Sequence, residues 1–339
     1  MKYMTTIEKT GAIIFGFDYQ IDAAICLFLK RLRSIKKIKV EGKYEDIEQI
    51  LDDGSKIYCQ VKSVIDDQKD STTTIRKKLK DALTSLSKCI LNEKDQLLYC
   101  SNQKDLLISK SPLFSNEDIL MYQFSELDDD SKKIIKKYFK GDISNLEKLI
   151  IIKIPYKLAS DAETRCHYIN REISSFLVSI NENEGYYKEL RKEWHEFLKG
   201  TAYDQKGLFS ISKKEMMLVV LLILLDKYIK NEDYINDISL ENALDEQYEE
   251  LKKKKILSFE IFNKLQGIFY EEKFKYSSIR NEELRMIFND RKNEIITAIY
   301  GDEIAPNELE TETSYSIFAG TLRLRSKTMK IKEVCCIED

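Results

Sequence analysis

Three side chains in the stretch VEGKYEDIEQILDDGSKIYCQVKS (residues 40–63) have the types and spacing for phosphodiester chemistry: Asp46, Gln60 and Lys62. Successive side chains of a strand point to opposite faces. Over 56–62 this puts Ile57, Cys59 and Val61 on one face and Tyr58, Gln60 and Lys62 on the other. Asp52-Asp53-Gly54 suits a three-residue hairpin loop, whose third position needs the left-handed backbone that glycine adopts without steric cost. With that loop Leu51 faces Ser55, Ile47 faces Cys59 and Asp46 faces Gln60. Directly opposed residues share a face roughly 5 Å apart. Asp46, Gln60 and Lys62 then converge, Glu48 stands beside Tyr58 on their face, and Glu45 points to the other. A two-residue loop would bring up Glu45 in place of Asp46.

A carboxylate, an amide oxygen and an ammonium on adjacent strands make a site for metal-assisted hydrolysis. Mg²⁺ (or Mn²⁺) takes oxygen ligands and keeps several of its waters. Asp46 would offer a carboxylate oxygen, Gln60 its side-chain carbonyl and Val61 its backbone carbonyl. Such an ion polarises the phosphate and lowers the pKa of a bound water. Lys62 would orient that water and offset charge developing on the phosphate. Gln60 in place of a second carboxylate removes a formal charge, for which Glu41, Glu45 or Glu48 could compensate. The letters Q-x-K alone mean little, because any half-buried strand has a polar face. Their weight comes from the glycine turn, the acid upstream and the surrounding elements.

Those elements begin with an amphipathic helix over 17–33, where Phe17, Ile21, Ala24, Ile25, Phe28 and Leu32 fall on one side. Gly11 and Gly16 precede it, and Asp18 is placed to cap its first turn. Strands follow at 35–44, 45–51 and 56–62, then a helix over 74–91 and a strand over 95–100 ending at Ser101-Asn102. Residues 126–139 are expected to be helical and 149–155 a buried strand stopped by Pro155. Beyond it, helical periodicity recurs over 160–180, 186–199, 212–230, 239–254, 258–274 and 280–300. The tail, 311–339, fits either strand or ordered loop. The expected class is a two-domain α+β/α chain: an α/β sandwich with a mixed sheet (1–155), then a mainly helical interaction or regulatory domain (156–339).

Composition is compatible with this layout and excludes several others. The 339 residues include 55 Lys+Arg and 58 Asp+Glu, a net charge of −3, so overall charge does not mark a nucleic-acid binder. Local clusters do stand out: Lys36, Lys37, Lys39 and Lys43 in one run, and Arg76, Lys77, Lys78 and Lys80 in another. Either fits a phosphate-contacting surface or an ordinary solvated face. Seven cysteines, with no C-x-x-C spacing and no signal-peptide pattern, point to a cytoplasmic protein. His167 and His195 are the only histidines, which argues against a histidine zinc site or a Ser-His-Asp triad. The apolar run Met216–Leu225 is half the roughly 20 residues of a membrane span and fits a buried helix or an oligomer interface. No membrane is expected as a partner.

The same residues resemble the PD-(D/E)XK nuclease superfamily, in the branch where Gln replaces the second acid. They are most similar to the double-stranded DNA endonuclease domain of CBASS and Lamassu anti-phage effectors. The matching residues are Gly16-Phe17-Asp18-Tyr19-Gln20, Glu41, Glu45-Asp46, Gln60-Val61-Lys62-Ser63 and Leu98-Tyr99-Cys100-Ser101-Asn102, covering about 10–155. The resemblance implies a restriction-endonuclease-like sandwich and catalytic roles for Asp46, Gln60 and Lys62. It also implies a place for Gln20 near the site. The helical second half lacks a Gly-rich phosphate loop and looks more like a Lamassu nuclease subunit than a cyclic-nucleotide-activated CBASS nuclease. This implies a bacterial defence complex with an SMC-like ATPase, a further small subunit and self-assembly on activation. A catalytically inactive DNA-binding module and a protein scaffold remain the alternatives.

Overall fold

The computed structural model describes residues 6–65, 72–103, 106–107, 112–157, 161–202, 209–230, 238–273, 281–301 and 306–338. It divides into two compact units, Met1–Lys213 and Lys214–Asp339. The expected boundary at 155 falls inside the first of these units. The reason is that the helices after Pro155 complete the first unit's core.

In the first unit, α1 (Thr6–Lys30) precedes β1 (Ile35–Val40), β2 (Ile47–Leu51) and β3 (Lys56–Lys62). Then come α2 (Thr72–Leu86), β4 (Gln96–Ser101), β5 (Leu120–Gln123), α3 (Asp129–Tyr138) and β6 (Leu149–Lys153). The unit closes with α4 (Ala162–Arg165), α5 (His167–Ser179), α6 (Tyr187–Ala202) and β7 (Ile211–Ser212). The strands form one mixed sheet in the order β5-β6-β4-β3-β2-β1-β7. β3, β4 and β6 run parallel, while β1–β2, β2–β3, β1–β7 and β5–β6 are antiparallel. β5 and β7 are additions to the sequence reading; both are too short for alternation to reveal.

α1 differs most from expectation. It is 25 residues long and runs through Gly11 and Gly16. Asp18 therefore lies in mid-helix and faces Arg165 at 3.8 Å and His195 at 3.6 Å instead of capping a turn. Thr10–Lys30 is long and apolar enough to cross a membrane by length and composition, but 61% of that window is buried. Ile21, Ala24, Ile25 and Phe28 are fully enclosed, so its apolarity is that of a core helix. On the other face of the sheet, Leu79, Leu83 and Leu86 of α2 and Ile135 and Phe139 pack on Tyr58, Leu97, Tyr99 and Ile151.

α1 is tied to the chain after β6 by a buried ionic cluster. The Asp22 carboxylate is fully buried and accepts from Arg191 Nε at 3.0 Å and Nη2 at 2.8 Å. Tyr156 Oη donates to it at 3.1 Å and Cys166 Sγ at 3.3 Å. Burying both charges costs solvation that only their pairing offsets.

The second unit comprises α7 (Lys213–Lys230), α8 (Ile238–Lys253), α9 (Phe259–Lys273), α10 (Asn281–Asp290), α11 (Lys292–Tyr300), α12 (Glu308–Arg323) and α13 (Arg325–Cys335). The helices read at 212–230 through 280–300 are present, although positions 160, 274 and 280 lie outside the described residues. The 280–300 segment is two helices meeting at Arg291. Met216, Met217, Val220, Leu221, Ile223, Leu224 and Leu225 are buried in the unit. The ambiguous tail is helical, and α12 is largely enclosed despite its Thr and Ser content. Its hydroxyls bond back to the preceding turn, as in Thr313 Oγ1 to the Leu309 carbonyl at 2.8 Å and Ser314 Oγ to the Glu310 carbonyl at 2.7 Å.

Asp22→Ala leaves the Arg191 guanidinium without its carboxylate and is expected to cost about 3–5 kcal/mol. Urea unfolding checks this; a variant as stable as the parent chain would remove the cluster from the fold's foundations.

Candidate active site

The hairpin register is the one the Asp-Asp-Gly loop predicts. Ile47 pairs with Cys59 and Glu48 with Tyr58, Gly54 has φ +82°, and the Leu51 N–H reaches the Ser55 carbonyl at 2.9 Å. β2 starts at Ile47, but β3 continues to Lys62, so β3 outruns its antiparallel neighbour. The Val61 N–H, which would otherwise meet a strand there, donates to Asp46 Oδ2 at 2.8 Å. The Gln60 amide nitrogen donates to the same oxygen. Lys62 Nζ lies 3.8 Å from it. Asp46, Gln60 and Lys62 are thus brought together. The Asp46 and Lys62 side chains keep 24% and 29% exposure, enough for a ligand to reach them, whereas Gln60 is buried.

Backbone contacts from three further elements hold this cluster. Gln20 on α1 is buried, and its Nε2 donates to the Asp46 carbonyl at 2.8 Å. Gly16, one helical turn earlier, permits close approach: an added Cβ would stand 3.3 Å from Ser63 Oγ. Ser101 Oγ at the end of β4 donates to the Lys62 carbonyl. Asn102 accepts from the Val64 N–H at 2.7 Å and returns a hydrogen bond to the Val64 carbonyl at 2.8 Å. From α2, Lys78 Nζ donates to the Ser63 carbonyl at 2.7 Å. The SN pair after β4 was legible only through the family resemblance. Lys78 was legible only as one member of a basic cluster.

Glu45, Glu41 and Glu48 behave differently from the sequence reading. Regular alternation stops at Ile47, because residues 41–46 form a turn in which Glu41 is left-handed (φ +53°). The Glu41 N–H bonds the Asp46 carbonyl at 2.8 Å and the Gly42 N–H bonds the Glu45 carbonyl at 3.0 Å. Glu45 therefore does not point to the opposite face. Its Oε1 accepts from Ser85 Oγ of α2 at 2.9 Å, with Cys89 Sγ at 3.6 Å, on the side where α2 packs on Tyr58. Glu48 turns back into the turn, its Oε1 accepting from the Tyr44 N–H at 2.6 Å and the Glu45 N–H at 3.3 Å. Glu41 is exposed and serves the site through its backbone.

The oxygen donors this site could offer a hard cation are few. Among the described residues there is no group of three His, Cys, Asp or Glu side chains that could hold a metal. A site here must rest on one carboxylate with neutral oxygens. Asp46 supplies the carboxylate. The Val61 carbonyl lies on the same strand edge as its N–H, and hence beside Asp46. Gln60 meets Asp46 through its nitrogen; rotating the amide by half a turn would present Oε1 instead, the orientation a cation shared with Asp46 requires.

The basic residues divide. Lys36, Lys37 and Lys43 are exposed, as are Arg76, Lys77 and Lys80 on the outer side of α2. Lys39 is not available to DNA: it is buried, and among the described residues its Nζ has no hydrogen-bond partner. β1 is an inner strand, flanked by β7 and β2, and Lys39 stands directly opposite Glu48 in that covered row.

No protein-family model matches the chain, and no curated protein or solved structure does.

Burial, opposed by the Ser85 hydrogen bond and reinforced by the charge of Asp46, lifts the Glu45 carboxyl from 4.5 to about 7. The folded chain thus holds this proton more tightly than the unfolded one. Its stabilising contribution is full below pH 4.5, falls as pH rises, and is lost above about 7. Glu45→Gln keeps the neutral form at every pH. In chelator-containing buffer, the stability of the wild type relative to this variant should fall by about 2–3 kcal/mol between pH 4.5 and pH 8. A pH-independent difference in urea unfolding would contradict the assignment.

Proposed function

We propose that this chain is a metal-dependent double-stranded DNA endonuclease of the PD-(D/E)XK type. We further propose that it acts as the effector of a bacterial, cytoplasmic anti-phage complex, held inactive by, and activated through, an SMC-like ATPase with a further small subunit. The observation that carries the nuclease reading is the convergence of Asp46, Gln60 and Lys62 where β3 outruns β2. The order α1-β1-β2-β3-α2-β4, with β3 and β4 parallel, supports it, since the family resemblance implies such a sandwich. Partners and defence role rest on that resemblance and on the helical unit after Lys213, to which we assign docking.

Asp46, the Gln60 side-chain oxygen and the Val61 carbonyl would hold Mg²⁺ or Mn²⁺. When bound, the ion supplies charge that polarises the phosphate and acidifies a water. Lys62, anchored through its carbonyl by Ser101, presents its ammonium to the phosphate and to the attacking water. Gln20 fixes the Asp46 backbone and so the direction of its carboxylate. Glu45, one residue away, has its carboxyl pushed up to about 7 by burial, so below that pH it is mostly protonated and adds less negative charge beside an approaching phosphate than an ordinary glutamate would. Lys36, Lys37, Lys43, Arg76, Lys77 and Lys80 are the exposed cations available to the duplex backbone.

A second reading has one observation in its favour. Asp46 Oδ2 is satisfied by Gln60 and Val61 without an ion, as expected of a DNA-binding module that has lost catalysis. The activated complex separates the two. With Mg²⁺ or Mn²⁺ it should cut double-stranded DNA, and EDTA should abolish cutting. Lys62→Ala and Asp46→Ala should each lower the rate by about 10²-fold or more, while Lys62→Ala still binds DNA. A fully activated complex that leaves DNA intact would overturn the nuclease reading.

A further inference from the structure

The turn that delivers Asp46 also presents an aromatic ring to solvent. Tyr44 is 56% exposed, yet its ring is not adrift. It stands edge-on to the buried Tyr58, with ring centroids 6.0 Å apart and planes at 88°. The Lys43 ammonium lies 5.1 Å from the Tyr44 centroid. The backbone beneath is fixed by the Glu41–Asp46 and Gly42–Glu45 hydrogen bonds and by Glu48, which accepts from the Tyr44 N–H. A Cβ at Gly42 would run into the Glu48 side chain and displace the carboxylate that accepts from the Tyr44 N–H. An aromatic face held this way loses little freedom when something stacks on it. Tyr44 is two residues from Asp46, so their Cα atoms are at most about 7.6 Å apart.

We propose that Tyr44 is a stacking platform for a nucleobase beside the reacting phosphate, with Lys43 contacting the adjoining backbone. This rests on the nuclease reading of Asp46 and refines its substrate class. Every nucleobase has a face that can stack on an aromatic side chain, and a neighbouring cation strengthens such a contact. Within an intact duplex those faces are covered by neighbouring base pairs. The platform therefore selects double-stranded DNA in which a base near the cleavage position is unstacked, as at a bulge, a gap or a flipped nucleotide.

The test uses the full chain carrying Lys62→Ala, which disables cleavage, and a duplex with 2-aminopurine in a small bulge. Binding should quench the probe's fluorescence, and adding Tyr44→Phe should preserve both quenching and affinity. Adding Tyr44→Ala or Tyr44→Leu should remove the quenching and weaken binding to the bulged duplex roughly 5- to 150-fold. Tyr44→Leu keeps an apolar contact for Tyr58, so its loss of function would not be one of folding. Affinity for a fully paired duplex should be the same for all. Undiminished quenching with Tyr44→Leu, an equal loss on paired DNA, or no DNA binding by any of these proteins would overturn the platform. Cleavage by the activated wild type judges the nuclease reading separately. Cutting that ignores Tyr44 removes the platform alone, whereas Tyr44-dependent stacking without cutting removes the hydrolytic assignment alone.

Discussion

A strand that runs past its partner must find other partners for its backbone, and here that constraint is met by a carboxylate. β3 extends to Lys62 while β2 begins only at Ile47, so the Val61 N–H has no antiparallel neighbour and is taken by Asp46 Oδ2. An unsatisfied buried N–H would cost about 1–3 kcal/mol, which ties the position of the Asp46 side chain to the folding of the sheet itself. The Gln60 amide and the Lys62 ammonium reach the same oxygen because strand alternation puts them two residues apart on one face.

The rest of the first unit reads as support for that meeting point. α1 holds the Asp46 backbone through Gln20 and, through the small size of Gly16, admits Ser63 against the helix. β4 fixes the far side through Ser101 and Asn102, and α2 closes the end with Lys78. The hydrogen bonds from Gln20, Ser101, Asn102 and Lys78 all go to backbone, so they fix the chain beneath Asp46, Gln60 and Lys62 without engaging those three side chains. The same turn that carries Asp46 sets Tyr44 outward, so the hydrolytic groups and the exposed ring share one rigid mount.

How much of this could be seen in the sequence follows from which forces act locally. The hairpin register is legible because a glycine in the third loop position leaves few alternatives; it brings Asp46 level with the end of β3, where the Val61 N–H and the turn hold it beside Gln60 and Lys62. Alternation misplaces Glu45 because it holds only from Ile47 on, and no pattern announces the left-handed Glu41 of the turn before it. Lys39 reads as surface because a run of lysines does not show that β1 is an inner strand, flanked by β2 and, from a distant part of the chain, by β7. α12 is hard to read for a different reason: its buried residues mix Thr, Ser and Gly with Ile317 and Phe318, and hydroxyls such as those of Thr313 and Ser314 bond back to the preceding turn, so the sequence shows no plain apolar stripe. No boundary after α6 is legible because α5 and α6 look like any amphipathic helices; contacts to α1 such as Asp22–Arg191 and Phe28–Trp194 reveal which core they complete.

The most direct test of the account is whether these groups hold a divalent cation at all. Titrating the full chain with Mn²⁺ and following the free ion by electron paramagnetic resonance measures this without substrate or activation. The account predicts one bound ion per chain, lost with Asp46→Ala and bound more tightly with Gln60→Glu, which restores a second carboxylate. Binding that is absent in the wild type, or indifferent to both substitutions, would contradict it.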